Sequence, residues 1–334
     1  MTLPAESQVG RRAVGPAPGA SRGQMDGCPR QDPAYRPATG RAPPRAGPFS
    51  CVSAAARVRD NRDVPTTVDP HVAVTWIERV ADGSRERTQD EIAIEEPLEI
   101  RVDGTAVAVT MRTPGHDEEL AAGFLAGEAL IGGPPDLAHV GLTDDLAANT
   151  IAVRTTSGLR RDPADERRFH LSSSCGVCGK AALEHVRVTL PASPQPRVPI
   201  APRVVVRLPA ESRRVQEAFE RTGGLHATAL FEAGGELLVL REDVGRHNAM
   251  DKAIGSMLLA GRHPLPGVVA CLSGRVSFEL VQKAALAGLA GIVAVGAPTS
   301  LAIELAEEAG MFLCGFVRDG SFNVYTGAPL VRGT

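Results

Sequence analysis

Lysine is nearly missing from this 334-residue chain: three lysines, Lys180, Lys252 and Lys283, stand beside 33 arginines. A lysine kept against such a bias marks a place where a planar guanidinium would not serve. Aromatic residues are also scarce, at 4%, which argues against a broad base-stacking surface for single-stranded nucleic acid. The net charge is only −3, so no global field favours nucleic acid or an acidic membrane. The longest apolar run, near Ala284 to Pro298, is too short and too interrupted by glycine to span a bilayer. The amino terminus has no apolar stretch of the kind a secretory signal needs. A cytoplasmic protein, with no nucleic acid or membrane partner, is the expectation.

Cysteine is sparse too. The six are Cys28, Cys51, Cys175, Cys178, Cys271 and Cys314, and only Cys175 and Cys178 are close in sequence. That pattern does not build a disulfide scaffold. Cys271 and Cys314 fall in apolar, strand-like runs and are expected to be buried and inert.

Residues 1–62 differ from the rest. They hold nine prolines and ten arginines against four acids, with no apolar periodicity. Such a stretch cannot bury enough surface to offset its ordering entropy, so a disordered basic extension is expected. A smaller α+β part is expected at 63–165 and an α/β core at 166–334, with a Pro-rich linker over 191–202. Strand patterns appear around Val72, over 105–111 and at 150–155. A helix opens after Thr113-Pro-Gly-His, its acidic first turn suiting the helix dipole, with Leu120, Phe124 and Ile131 on one stripe. Another helix carries Val215 and Phe219 and ends at Gly223-Gly224. Beyond it strands (226–232, 236–241, 267–272, 291–295, 312–317) alternate with helices (247–260, 276–289, 298–309). That alternation predicts an α/β layer with a largely parallel sheet.

Three groups of residues could carry chemistry. Cys175-Gly-Val-Cys178 sits among serines and glycines with Lys180 nearby. It reads as half a zinc site completed by His170, His185 or His226, as a redox dithiol, as a sulfur-carrying or nucleophilic thiolate, or as two idle loop cysteines. Glu242 to Lys252 crowds six ionisable side chains, among them Arg246 and His247, into a strand-to-helix turn. That is where α/β proteins bind ligands, although capped helix starts look similar. Ser273-Gly-Arg275 and Ala297-Pro-Thr-Ser300 are further strand-to-helix turns suited to phosphate or to plain N-caps. A charged turn between two short strands covers Phe316 to Tyr325.

In combination these segments resemble the formate dehydrogenase accessory sulfurtransferases, the FdhD family, from about residue 70 to 328. The resemblance rests on Arg112-Thr-Pro-Gly, Glu118-Glu-Leu-Ala-Ala-Gly-Phe-Leu, Ser174-Cys-Gly-Val-Cys-Gly and Thr222-Gly-Gly-Leu-His-Ala. It continues through Arg241-Glu-Asp-Val-Gly-Arg-His-Asn-Ala-Met-Asp-Lys, Ser273-Gly-Arg, Ala297-Pro-Thr-Ser-Leu-Ala and Gly315-Phe-Val-Arg. It implies a cytidine-deaminase-like α/β core with a smaller β-containing amino-terminal domain. It implies a sulfurtransferase that accepts persulfide sulfur from a cysteine desulfurase. The sulfur passes to the molybdenum of a bis(molybdopterin guanine dinucleotide) cofactor destined for formate dehydrogenase. Cys175 matches the persulfide cysteine and Cys178 its partner. The cofactor stretch maps to Phe316, Val317, Arg318, Asp319, Gly320 and Ser321, with Arg246, His247 and Arg275 in support. Ser321 departs from the family pattern, which implies a basic residue there. A homodimer and no permanently bound metal are further implications. A zinc deaminase would need a His-x-Glu motif before its cysteines; His226-Ala-Thr lacks the glutamate and follows them. A cofactor-binding chaperone with idle cysteines is the other alternative.

A chain that begins near Asp63 is expected to keep its melting temperature and its sulfur transfer. A drop of more than a few degrees on removing residues 1–62 would show that the extension packs on the body.

Overall fold

The computed structural model describes residues 69–142, 149–160, 169–170 (backbone only) and 198–333. The extension 1–62, the Cys175–Cys178 segment, Lys180 and His185 lie outside the described residues.

Three Asp-Gly pairs fix three hairpins. Asp82-Gly83 joins β1 (Val72–Ala81) to β2 (Ser84–Ala93), and Asp103-Gly104 joins β3 (Glu96–Val102) to β4 (Thr105–Arg112). Both residues of each pair have positive φ. That backbone is the two-residue turn matching strand twist, and Asp-Gly tolerates it. β1 and β2 form a two-stranded ribbon. β3 and β4 lie in a five-stranded sheet of order β5-β6-β3-β4-β7, with β5 (Leu137–Gly141), β6 (Thr150–Thr155) and β7 (Phe169–His170). Residues on both sides of position 165 thus contribute to this sheet, because Ala108 of β4 pairs with Phe169.

The helix after Thr113-Pro-Gly-His is α1 (Asp117–Gly127). Every residue from Leu120 to Gly127 is buried, so the expected single apolar stripe is instead a helix enclosed on all sides. One side packs on Leu98, Ile100, Ile151 and Val153 of the five-stranded sheet. Another packs on a helix from the second half of the chain.

That second half begins with short helices α2 (Pro202–Val205), α3 (Leu208–Arg213) and α4 (Glu217–Thr222). Strands β8 (His226–Glu232), β9 (Leu237–Asp243), β10 (Val268–Leu272), β11 (Gly291–Ala294), β12 (Phe312–Arg318) and β13 (Ser321–Thr326) form one sheet, ordered β13-β12-β11-β10-β8-β9. The third Asp-Gly pair, Asp319-Gly320, turns β12 into β13. The α/β class is as expected. The sheet is less parallel than alternation predicts: only β10–β11 and β11–β12 run parallel, and the other three pairings are antiparallel. Hairpins β8–β9 and β12–β13 account for two of the three, since their short turns leave no room for a crossover.

α5 (Arg246–Leu259), α6 (Phe278–Leu286) and α7 (Ser300–Glu308) cover one face, meeting Ala270, Leu272, Ile292 and Leu313. α2 and α3 cover the other, meeting Val269, Cys271, Val293 and Cys314. Strand alternation thus sends both described cysteines to the α2–α3 side.

α1 and α5 cross at glycines. A Cβ on Gly123 would fall on the backbone carbonyl of Asp251, and one on Gly255 on that of Glu119. Gly255→Ala ought to help an isolated helix by up to ~1 kcal/mol. Here we expect it to lower stability by ~1–3 kcal/mol through overpacking, read as a lower urea midpoint. An unchanged or higher midpoint would mean that the two backbones do not approach this closely.

Candidate functional site

β10, β11 and β12 run parallel, and their carboxyl ends share one edge of the sheet. β8 is antiparallel to β10, so its start, His226, lies at the same edge, and His226 pairs with Asp243 at the end of β9. The turns Ser273-Gly-Arg275, Gly296-Ala-Pro298 and Phe316 to Ser321 all leave from there, as does the first turn of α5. Ligands bind α/β sheets at such an edge.

Asp243 fixes the α5 turn. It is fully buried, and its Oδ1 accepts hydrogen bonds from the Gly245 N–H (2.8 Å) and Asn248 Nδ2 (3.0 Å). Its Oδ2 accepts from the Thr113 N–H (3.1 Å) and pairs with Lys252 Nζ at 2.7 Å. Lys252, also fully buried, donates to the Thr113 carbonyl at 2.8 Å. A buried charge is tolerable only with this degree of pairing. Lys283 is similarly buried, between Asp251 (2.9 Å) and Glu128 (3.3 Å). Lys252 and Lys283 therefore lock α5 and α6 to the segment around α1. A compact ammonium fits these dry niches where a guanidinium would not.

Arg246, partly buried, and His247, buried, begin α5 on the side of that turn nearer the sheet edge. Burial depresses the Arg246 pKa and the nearby Arg275 guanidinium adds to it, with Glu279 opposing. The Arg246 Nε is buried and hydrogen-bonds to nothing among the described residues. Burial likewise lowers the pKa of His226 and of His247, which keeps both imidazoles neutral near pH 7. His247 Nε2 lies 3.2 Å from Ser277 Oγ and 3.8 Å from Glu279. Burial alone would raise the Glu279 pKa, but hydrogen bonds involving His247, its own N–H and Ser277 hold it at about 2. Two arginines side by side with an unsatisfied donor suit an anion such as a phosphate.

Beside this edge opens a cavity of about 630 Å³, lined among others by Ser273, Arg318 and Asp319 at one part and by Phe219, Leu225 and Gln216 at another. Such a volume suits a small-molecule ligand. Arg318, Asp319 and Gly320 are exposed, whereas Val317 is packed into the core on the α2–α3 side. Phe316 is partly exposed and takes a positive φ of 54°, where the β12–β13 pairing is irregular. Ser321 Oγ donates to the Arg318 carbonyl at 3.0 Å and so braces the turn. The structure thus brings Arg246, His247, Arg275 and the 316–321 turn to one sheet edge. Sequence reading did not single out Gln216, Ser277 and Glu279, none of which lies in an ionisable cluster of the sequence.

The FdhD/NarQ family profile matches residues 93–331. The chain belongs to the FdhD/NarQ family. Relatives in it include the sulfur carrier protein FdhD of Streptomyces coelicolor, 47% identical over 262 residues, covering 76% of this chain and 93% of that one. The sulfur carrier protein FdhD of Mycolicibacterium paratuberculosis is 49% identical over 248 residues, covering 72% and 91%. Among solved structures, a protein from Desulfotalea psychrophila described as a formate dehydrogenase accessory protein shares the fold. Its TM-score is 0.63 at 23% identity, covering 78% of this chain and all of that one. No helix among the described residues is long and apolar enough to cross a membrane.

Cys271 and Cys314 are buried free thiols, and burial pushes both up to about 12. Thiolate is the reactive form. Alkylation of the native protein near pH 8 is expected to leave both unlabelled, and labelling after unfolding to be complete. Native labelling of either, seen by peptide mass spectrometry, would contradict the buried placement.

Proposed function

We propose that the chain is a sulfur carrier that works through a persulfide on Cys175, with Cys178 as its partner. The donor is a cysteine desulfurase. The acceptor is the molybdenum of a bis(molybdopterin guanine dinucleotide) cofactor used by formate dehydrogenase, and the cofactor is here a bound client. The carrying observation is the anion-ready edge, where Arg246 Nε is unsatisfied beside Arg275, in a chain belonging to the FdhD/NarQ family. The cofactor's pyrophosphates supply the oxygens that such guanidinium groups bind. Arg318 stands on the adjoining cavity, with the 316–321 turn braced by Ser321.

The first transfer is electron-neutral. The Cys175 thiolate attacks the terminal sulfur of the donor's persulfide, and the donor's thiolate leaves. Delivery as sulfide takes two electrons. Cys178 supplies them by attacking Cys175 and closing a disulfide as hydrosulfide departs, and a thiol reductant resets the pair. A second protomer completing a homodimer belongs to this reading.

After incubation with a desulfurase and cysteine, sulfur adducts are expected on the peptide holding Cys175 and Cys178. Cys175→Ala is expected to abolish them and formate dehydrogenase maturation together. Persistence of both would leave a cofactor-binding chaperone with idle cysteines. Arg318→Ala is expected to load sulfur normally yet bind GDP about 10- to 150-fold more weakly, since a hydrogen bond to a charged group contributes ~1.5–3 kcal/mol. Unchanged affinity in calorimetry would move the cofactor site away from this turn.

A further inference from the structure

Gln216 lies between α3 and α4 with only 6% of its surface exposed, and it lines the same cavity as Arg318. It occupies the N-cap position of α4, where a polar side chain ordinarily accepts from the first amides of the helix. Here that work is done from another strand. Glu242 of β9 accepts from the Ala218 N–H at 3.1 Å and the Phe219 N–H at 2.8 Å. Gln216 makes no cap hydrogen bond, and its carboxamide pairs with no other described side chain or backbone group. That leaves the carboxamide free to hydrogen-bond into the cavity it lines, which is roomy enough for a ligand.

The surroundings narrow what that ligand is. Val206, Pro209 and Leu225 give the cavity apolar walls. Phe219 adds a ring, with the Arg213 guanidinium 4.3 Å from its centroid. Flat apolar walls with one neutral two-sided hydrogen-bonding group suit a planar heterocycle, and Arg318 on the same cavity suits a phosphate attached to it.

We infer that Gln216 reads the edge of a planar nitrogen heterocycle carrying an adjacent ring carbonyl and ring N–H. The Gln216 Nε2 donates to the carbonyl, and its Oε1 accepts from the N–H. This rests on the cofactor-binding reading above and deepens it by assigning the residue that selects the ring. Guanine and pterin rings both carry that edge.

Calorimetry on the full chain tests it with four probes: GDP, purine riboside 5′-diphosphate, 6-hydroxymethylpterin and inorganic pyrophosphate. Purine riboside diphosphate has the sugar and phosphates of GDP but lacks the carbonyl and the N–H. The wild-type protein is expected to bind GDP about tenfold more tightly than purine riboside diphosphate. Gln216→Met, close in shape, is expected to erase that ratio while leaving purine riboside diphosphate and pyrophosphate binding unchanged. Gln216→Glu keeps an acceptor and loses the donor, so it is expected to give an intermediate ratio, and it serves if the Met variant does not fold. If the dependence on Gln216 appears with the pterin instead of GDP, the cavity takes the pterin ring. A ratio unchanged in both variants, with the pterin also indifferent, overturns the role of Gln216 and leaves the cofactor site standing. A wild-type protein that binds none of the four probes overturns the cofactor reading, and this inference with it.

Discussion

The α5 turn at the sheet edge hangs on one buried carboxylate. Asp243 ends β9 and shares its two oxygens among Gly245, Asn248, Thr113 and Lys252. Two of these partners shape the turn that presents Arg246 and His247. The other two reach the strand-to-helix connection before α1 and the body of α5. A carboxylate held this way in a dry interior cannot drift without stranding a charge. The electropositive edge is thereby preset before any ligand arrives, and little of the binding energy is spent on ordering it.

The same segment ties the layers together. Arg241 donates to Glu119 of α1 at 2.5 Å and 2.7 Å, and Asn248 donates to the Met111 carbonyl at 2.7 Å. The glycine crossing brings the backbones of α1 and α5 together beside these contacts. Two kinds of residue therefore mix within the stretch from Arg241 to Lys252. Arg241, Asp243, Asn248, Asp251 and Lys252 build the frame, and Arg246 and His247 face the edge. A dense motif is a poor guide to which of its members touch ligand.

Much of the second half was legible because strands and helices there follow clean apolar periods. The expected strand at 226–232 is β8, and those expected at 267–272, 291–295 and 312–317 differ from β10, β11 and β12 by one residue at most at either end. The first half was harder. β2 carries charged or polar side chains at most of its positions, so alternation is invisible, and only the Asp82-Gly83 pair betrays the hairpin. α1 stands where the sequence places a helix, but its burial on every side could not be read from an apolar stripe. Gln216 had no signal at all, because its meaning depends on Glu242 arriving from a strand some two dozen residues away to do its ordinary work. Of the three lysines, Lys252 and Lys283 are buried in ion pairs, and Lys180 lies outside the described residues.

Glu242 and Asp243 are neighbours on one strand, so their side chains leave opposite faces. One caps α4 beside the cavity, and the other anchors α5 and the connection to α1. A slip of one residue in the pairing of β9 with β8 would turn each to the wrong face. Slipped one way, Glu242 would enter the tight niche of Lys252 and Arg241 would meet the α4 amides; slipped the other way, Asp243 would fall short of those amides and Val244 would face Lys252. Both losses come together, so a misregistered strand gains neither cap nor anchor. The pair acts as a proofreading device for folding: it leaves the shifted hairpin no comfortable near-native state in which to linger.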